Sequence, residues 1–174
     1  MITIIVGTNR ANSNSKKIAL QYQELLSEKM VDSSIIDLAN LPSDFLATGL
    51  YENVGTNVDF IPVMNKMKDS QKFVFIVPEY NGSFPGVLKV FLDGLEFPGT
   101  LKGKKCALVG ISSGVQGGVI AMSHLTDIFN YLGMHVMANK PKLMQINGKM
   151  ENGKLIDPSY LRRINEQIDA LIEF

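Results

Sequence analysis

Apolar positions in this chain follow two periods. Short, nearly unbroken apolar runs at Ile2–Val6, Ser34–Leu38, Lys72–Val77, Lys105–Gly110 and Met134–Ala138 read as β-strands, with Leu143–Ile146 belonging to the last. Between them the spacing changes to that of a helix face. Lys16–Met30 places Ile18, Ala19, Tyr22, Leu25, Leu26 and Met30 on one side. Val58–Asp69, Pro85–Leu95, Gly118–Leu132 and Pro158–Ile172 are predicted helices of the same kind. Pro85 falls in a first turn, where its missing N–H costs little, and Gly133 stops the helix before it. Leu41–Asn57 holds Pro42, Gly49 and Gly55 and reads as a loop with room for a helical turn. Residues 147–154 form a turn-rich loop.

Strand and helix thus alternate five times. Strands that are apolar on every residue belong in a sheet covered on both faces. The expected fold is α/β, a doubly wound parallel sheet with helices on both faces, in one domain spanning 1–174. Ligands in such folds sit outside the carboxyl ends of the strands, where the strand order reverses. The loops after strands one, three and four are therefore the places to look.

Composition narrows the partners. Lys plus Arg and Asp plus Glu stand at 17 each in 174 residues, so no broad basic surface marks a nucleic-acid or acidic-membrane partner. No apolar run reaches the roughly 18–20 residues of a membrane span. A strand starting at Ile2 leaves no room for a secretory leader. Cys106 is the single cysteine, which excludes an intrachain disulfide and a cysteine metal cluster and suits a reducing cytoplasm. Its apolar strand predicts a buried, inert thiol. His124 and His135 lack a second ligand at metal spacing and read as structural or surface residues. Lys102, Lys104 and Lys105 read as a solvated basic turn, as do Lys140 and Lys142.

Three loops carry the chemistry. The first, Gly7–Ser15, reads GTNRANSNS. Hydroxyls of Thr8, Ser13 and Ser15, amides of Asn9, Asn12 and Asn14, and the forked donor of Arg10 precede a helix whose N-terminal N–H groups are free. Together they suit a phosphate monoester. Gly7 is the loop's only glycine, so it matches neither the GxxxxGK[ST] nor the GxGxxG phosphate loop. A helix cap at Ser13 or Ser15 explains part of the same pattern. The second loop, VPEYNGSFPG (77–86), sets an aromatic ring and a carboxamide beside backbone donors and could hold a planar, polar-edged ring system. A strand-to-helix turn capped by Ser83 accounts for about half of it, but not for Glu79, Tyr80 and Asn81 together. The third loop, SSGVQGG (112–118), lets backbone approach a ligand closely, or is simply a flexible turn.

These residues resemble the NAD(P)H-dependent FMN reductases of the flavodoxin-like fold, which include quinone, azo-dye and chromate reductases. The family's first loop runs approximately GSxRxxSxS; here it is Gly7–Ser15. Its PEYNxSxPGxLKN motif appears as PEYNGSFPGVLKV, and its SxGxxGG motif as Ser112–Gly118 with Ser113 opening it. The resemblance implies a five-stranded sheet of order 2-1-3-4-5. It implies that Thr8, Arg10, Ser13, Asn14 and Ser15 hold the FMN phosphate, that Pro78, Glu79, Tyr80 and Asn81 line the isoalloxazine, and that Ser113, Gly114, Gln116 and Gly117 approach the flavin. It further implies bound FMN, NADPH or NADH as hydride donor, a small-molecule electron acceptor such as a quinone, azo compound or free flavin, and a homodimer or tetramer. Val90, Gly94, Ile120 and Thr126 depart from the family pattern and bear on nicotinamide preference and subunit contacts. A flavodoxin-like electron carrier and a non-catalytic flavin-binding regulator are the alternatives, the first disfavoured by the neutral charge and by Arg10. The helix at Pro85–Leu95 carries Val87, Leu88, Phe91, Leu92 and Leu95, more apolar surface than one core is expected to need, which predicts at least a dimer.

Overall fold

Each long strand sends alternate residues to opposite faces, and both faces are apolar. Ile5, Phe73, Phe75, Val77 and Leu108 enter one core; Ile4, Val6, Val74, Ile76 and Val109 enter the other. This is the physical content of the unbroken apolar runs. The computed structural model describes all residues, Met1–Phe174. Its main sheet contains β1 (Ile2–Val6), β2 (Ser33–Asp37), β3 (Lys72–Pro78) and β4 (Lys105–Ile111), all parallel. Two short strands, β5 (His135–Val136) and β6 (Lys142–Leu143), share the position beside β4. The order is β2-β1-β3-β4-β5, with β6 also on β4, so the expected 2-1-3-4-5 arrangement is present.

Helices α1 (Asn14–Glu28) and α6 (Pro158–Glu173) cover one face. The short α2 (Phe45–Thr48), α3 (Ile61–Asp69), α4 (Gly86–Asp93) and α5 (Val119–Tyr131) cover the other. No helix is long and apolar enough to cross a membrane. The register aligns Val6 with Ile76 and Ile76 with Val109. The loops leaving β1, β3 and β4 therefore emerge at one sheet edge, where the strand order reverses between β1 and β3.

The structure departs from the sequence reading at identifiable places. The last strand is broken. Pro141 has no N–H to donate, and the Leu108 carbonyl facing the gap accepts from the Gln167 carboxamide at 2.9 Å, which also donates to the Asn139 carbonyl at 2.9 Å. The Gln167 side chain thus fills the missing ladder bond. Residues 147–154 are more than a loop: a 3₁₀ turn, Ile146–Lys149, leads into the hairpin β7 (Met150–Glu151) and β8 (Lys154–Leu155). Lys104 is not solvated. It is buried, its ammonium donating to the Met67 and Lys68 carbonyls at 2.7 and 2.6 Å, where it closes the C-terminal end of α3. Burial pushes its pKa below the ordinary lysine value, with the Asp69 charge opposing. Lys105 reaches the Phe174 backbone oxygen. Leu88, Phe91, Leu92 and Leu95 are all spent on the protein's own core, which removes the apolar excess expected of α4.

Cys106 is buried, and burial pushes its thiol up to about 12 from the ordinary 9.0. The unfolded chain ionises this thiol at lower pH than the folded chain does. Its stabilising contribution is complete below pH 9.0 and is lost as pH rises toward about 12. Iodoacetamide at pH 8 should label Cys106 only at the rate of global unfolding; labelling of the native protein at the rate of a free thiol would contradict its enclosure.

Candidate functional site

The first loop is held by its own polar residues. Thr8 is fully buried, and its Oγ1 lies 2.9 Å from the Tyr80 hydroxyl while accepting the Arg10 N–H at 3.2 Å. This contact ties the first loop to the second. Asn12 takes a left-handed φ of 52°, a conformation that asparagine tolerates better than most residues. Ser13 is the N-cap of α1, its Oγ accepting the Lys16 N–H at 3.2 Å. Ser15 is not a cap. It is 2% exposed, it faces a cavity, and its hydroxyl makes no protein hydrogen bond. The N–H groups of Asn14 and Ser15 likewise have no protein acceptor.

The second loop folds back on itself. Tyr80 and Ser83 exchange both backbone hydrogen bonds, at 2.8 and 3.0 Å. Asn81 (φ 51°) and Gly82 (φ 73°) form the Asn-Gly turn that this geometry demands. Ser83 does not cap α4, which begins at Gly86 with no side-chain cap. Its Oγ lies 2.9 Å from His124 Nδ1 on α5, so His124 tethers the hairpin to that helix. The Glu79 N–H donates to the Ile111 carbonyl at 2.9 Å, and its Oε2 accepts the Gly118 N–H at 3.2 Å. The carboxylate thus sits at the positive end of α5.

In the third loop the Ser112 hydroxyl donates to the Gly114 carbonyl and accepts the Gly117 N–H, both at 2.8 Å. Gly117 and Gly118 adopt φ of 59° and 73° to turn the chain into α5.

Arg10, Ser13, Asn14, Ser15, Pro78, Glu79, Tyr80 and Ser113 line one cavity of about 600 Å³. Thr8 lies behind its wall. Asn81, Gly114, Gln116 and Gly117 belong to the same loops but do not line it. Ser112, Ile111, Ile146 and Asn147 do line it and were not singled out as contacts. Ile146 and Asn147 arrive because Gln145 N–H donates to the Gly114 carbonyl at 2.9 Å and Ile146 N–H to the Ser112 carbonyl at 3.1 Å. The one signal for them in the sequence is an apolar residue immediately before an Asn-Gly turn.

The wall carries one cation, Arg10, and one anion, Glu79. Arg10 takes part in none of the protein's ion pairs. A hydroxyl without a protein partner and two free N–H groups at the N-terminus of α1, with the unpaired Arg10 side chain, belong to the wall of one cavity. That donor set fits a phosphate monoester. The apolar surface of Pro78, Tyr80 and Ile111 leaves room for a ring system beside it.

A family model described as NADPH-dependent FMN reductase matches residues 1–145. The chain belongs to this family. Among the family's relatives, it is 32% identical over 149 residues to a 2-hydroxy-1,4-benzoquinone reductase of a Burkholderia species, covering 82% of this chain and 76% of that protein. It is 27% identical over 179 residues to a quinone reductase of Escherichia coli K12, covering 99% and 94%. In three dimensions it matches FerB, a flavoenzyme NAD(P)H:(acceptor) oxidoreductase from Paracoccus denitrificans, with a TM-score of 0.81 at 22% identity over 99% of this chain and 94% of FerB. That likeness establishes the flavodoxin-like fold of this FMN reductase family member.

Proposed function

We infer that the protein is an FMN-dependent NAD(P)H oxidoreductase that reduces a small-molecule acceptor of the quinone, azo or free-flavin class. The observation that carries this reading is the Ser15 hydroxyl, without a protein partner and lining a cavity that Arg10 also lines, within a chain of the FMN reductase family. Bound FMN would supply the hydride-transfer chemistry between a nicotinamide and the second substrate. The chain's own residues bind and orient it. Arg10, the Ser15 hydroxyl and the first N–H groups of α1 neutralise and hold the phosphate. The Thr8–Tyr80 bond fixes the distance between the phosphate loop and the ring wall. Glu79, anchored on the Gly118 N–H, keeps its carboxylate aligned rather than free to fold over the ring space.

A cytoplasmic location and a homodimer or tetramer are part of the proposal. Phe97 and Tyr131, exposed and stacked with centroids 6.2 Å apart, are an apolar surface available for self-association in place of α4.

The test is to identify the flavin on purified protein and measure turnover with NADPH and NADH against a benzoquinone, an azo dye and free FMN. Bound FMN and turnover on the order of 1–10³ s⁻¹ with at least one pair is the expected result. Protein that binds no flavin overturns the reading. Bound FMN with no nicotinamide oxidation turns it into an electron carrier or a flavin-binding regulator.

A further inference from the structure

The cavity wall built by Ile146 and Asn147 lies beyond residues 1–145, the part of the chain that matches the family. It is firmly set. Gln145 and Ile146 are bonded to the third loop, and the Ile146 side chain is buried in the core. On its outer side, Lys149 Nζ meets Asp157 Oδ2 at 2.7 Å, and the other Asp157 oxygen caps α6 through the Ser159 and Tyr160 N–H groups. The Tyr160 hydroxyl, 3.2 Å from both the carbonyl and the N–H of Met144, holds the approach to the turn. Asn147 Oδ1 accepts from Asn14 Nδ2 at 3.1 Å. Asn14 is the first residue of α1, so this bond joins the wall to the helix N-terminus that carries the phosphate donors. The acceptor of the Asn147 carboxamide is thereby used, and its Nδ2 donors have no protein partner.

A phosphate monoester presents three terminal oxygens. Arg10, the Ser15 hydroxyl and two helix N–H groups all come from one segment. We propose that Asn147 is a phosphate-reading residue, donating from its carboxamide to the phosphate of the bound flavin and so favouring the mononucleotide over the unphosphorylated flavin. The inference rests on the FMN reading above.

The experiment compares FMN and riboflavin binding, by quenching of flavin fluorescence, to the wild-type chain and to Asn147→Ala, Asn147→Asp and Asn147→Ser. Asn147→Ala is expected to weaken FMN by roughly tenfold, the scale of a hydrogen bond to a charged group, and riboflavin by less than about twofold. Asn147→Asp, which sets a negative charge there, should weaken FMN further; Asn147→Ser keeps a donor and should fall between wild type and alanine. Asn147 is exposed, so the thermal midpoint without flavin should hold, and the serine variant supplies the comparison if the alanine variant is unstable. Unchanged FMN affinity, or equal losses for FMN and riboflavin, overturns the role of Asn147. A wild-type chain that binds no FMN overturns the functional reading instead, so the two failures are distinct.

Discussion

Replacing Arg10 with alanine should weaken FMN binding by roughly 10- to 150-fold and move the flavin-free thermal midpoint by no more than about 2 °C. The first figure follows from the loss of a charge-assisted donor to a dianion, worth about 1.5–3 kcal/mol. The second follows from what Arg10 does for the fold. It is exposed, pairs with no carboxylate, and contributes only its backbone N–H to the Thr8 hydroxyl, a bond that alanine retains. Riboflavin, which lacks the phosphate, should bind the variant as it binds wild type. Arg10→Lys should recover part of the loss, because it restores the charge and not the planar fork. Salt should weaken FMN binding to wild type more than to the alanine variant. Equal FMN affinity in wild type and Arg10→Ala would leave the loop as a well-capped helix start and nothing more.

The first strands and helices were legible because their burial is dictated locally. β1 is Ile2–Val6 in both the pattern and the structure, and β3 and β4 extend the predicted runs by one residue each. Prediction failed where a distant side chain decides the outcome. No local pattern in 134–146 announces that Gln167, on the last helix, supplies the ladder bond that lets strand five break. No property of Lys102–Lys105 shows that Lys104 turns inward to the carbonyls ending α3. The site divides in the same way. That Arg10, Ser13 and Ser15 share the cavity wall could be read from a run of small polar residues before a helix. Asn147 could not, because it joins the cavity through backbone bonds to a loop some thirty residues earlier in the chain. Asn81 illustrates the reverse case: a polar residue at a promising place, used for its tolerance of positive φ in a two-residue turn.

Gly110→Ala, in β4, should cost about 1–3 kcal/mol of stability and impair FMN binding, whereas Gly114→Ala, in the loop that follows, should cost almost nothing. The sequence reads Gly114 as a place where backbone can come close to a ligand and Gly110 only as the end of a strand. The structure separates them. A Cβ on Gly110 would overlap the Gly117 carbonyl oxygen and lie 2.7 Å from Met122 Cε. The methionine end can swing away, but the carbonyl cannot move alone. The Gly117 N–H is bound to the Ser112 hydroxyl, and the next N–H, from Gly118, is bound to Glu79. Pushing the carbonyl outward therefore loosens Ser112 and Glu79, two residues of the cavity wall, together with the start of α5. A Cβ on Gly114 meets nothing within 4 Å, and its φ lies outside the left-handed region. Chemical denaturation of both variants, paired with FMN titration, reads the two effects separately. A Gly110→Ala protein as stable as wild type and with full FMN affinity would mean that the third loop can shift without cost. The close backbone contact beneath it would then have no part in shaping the cavity.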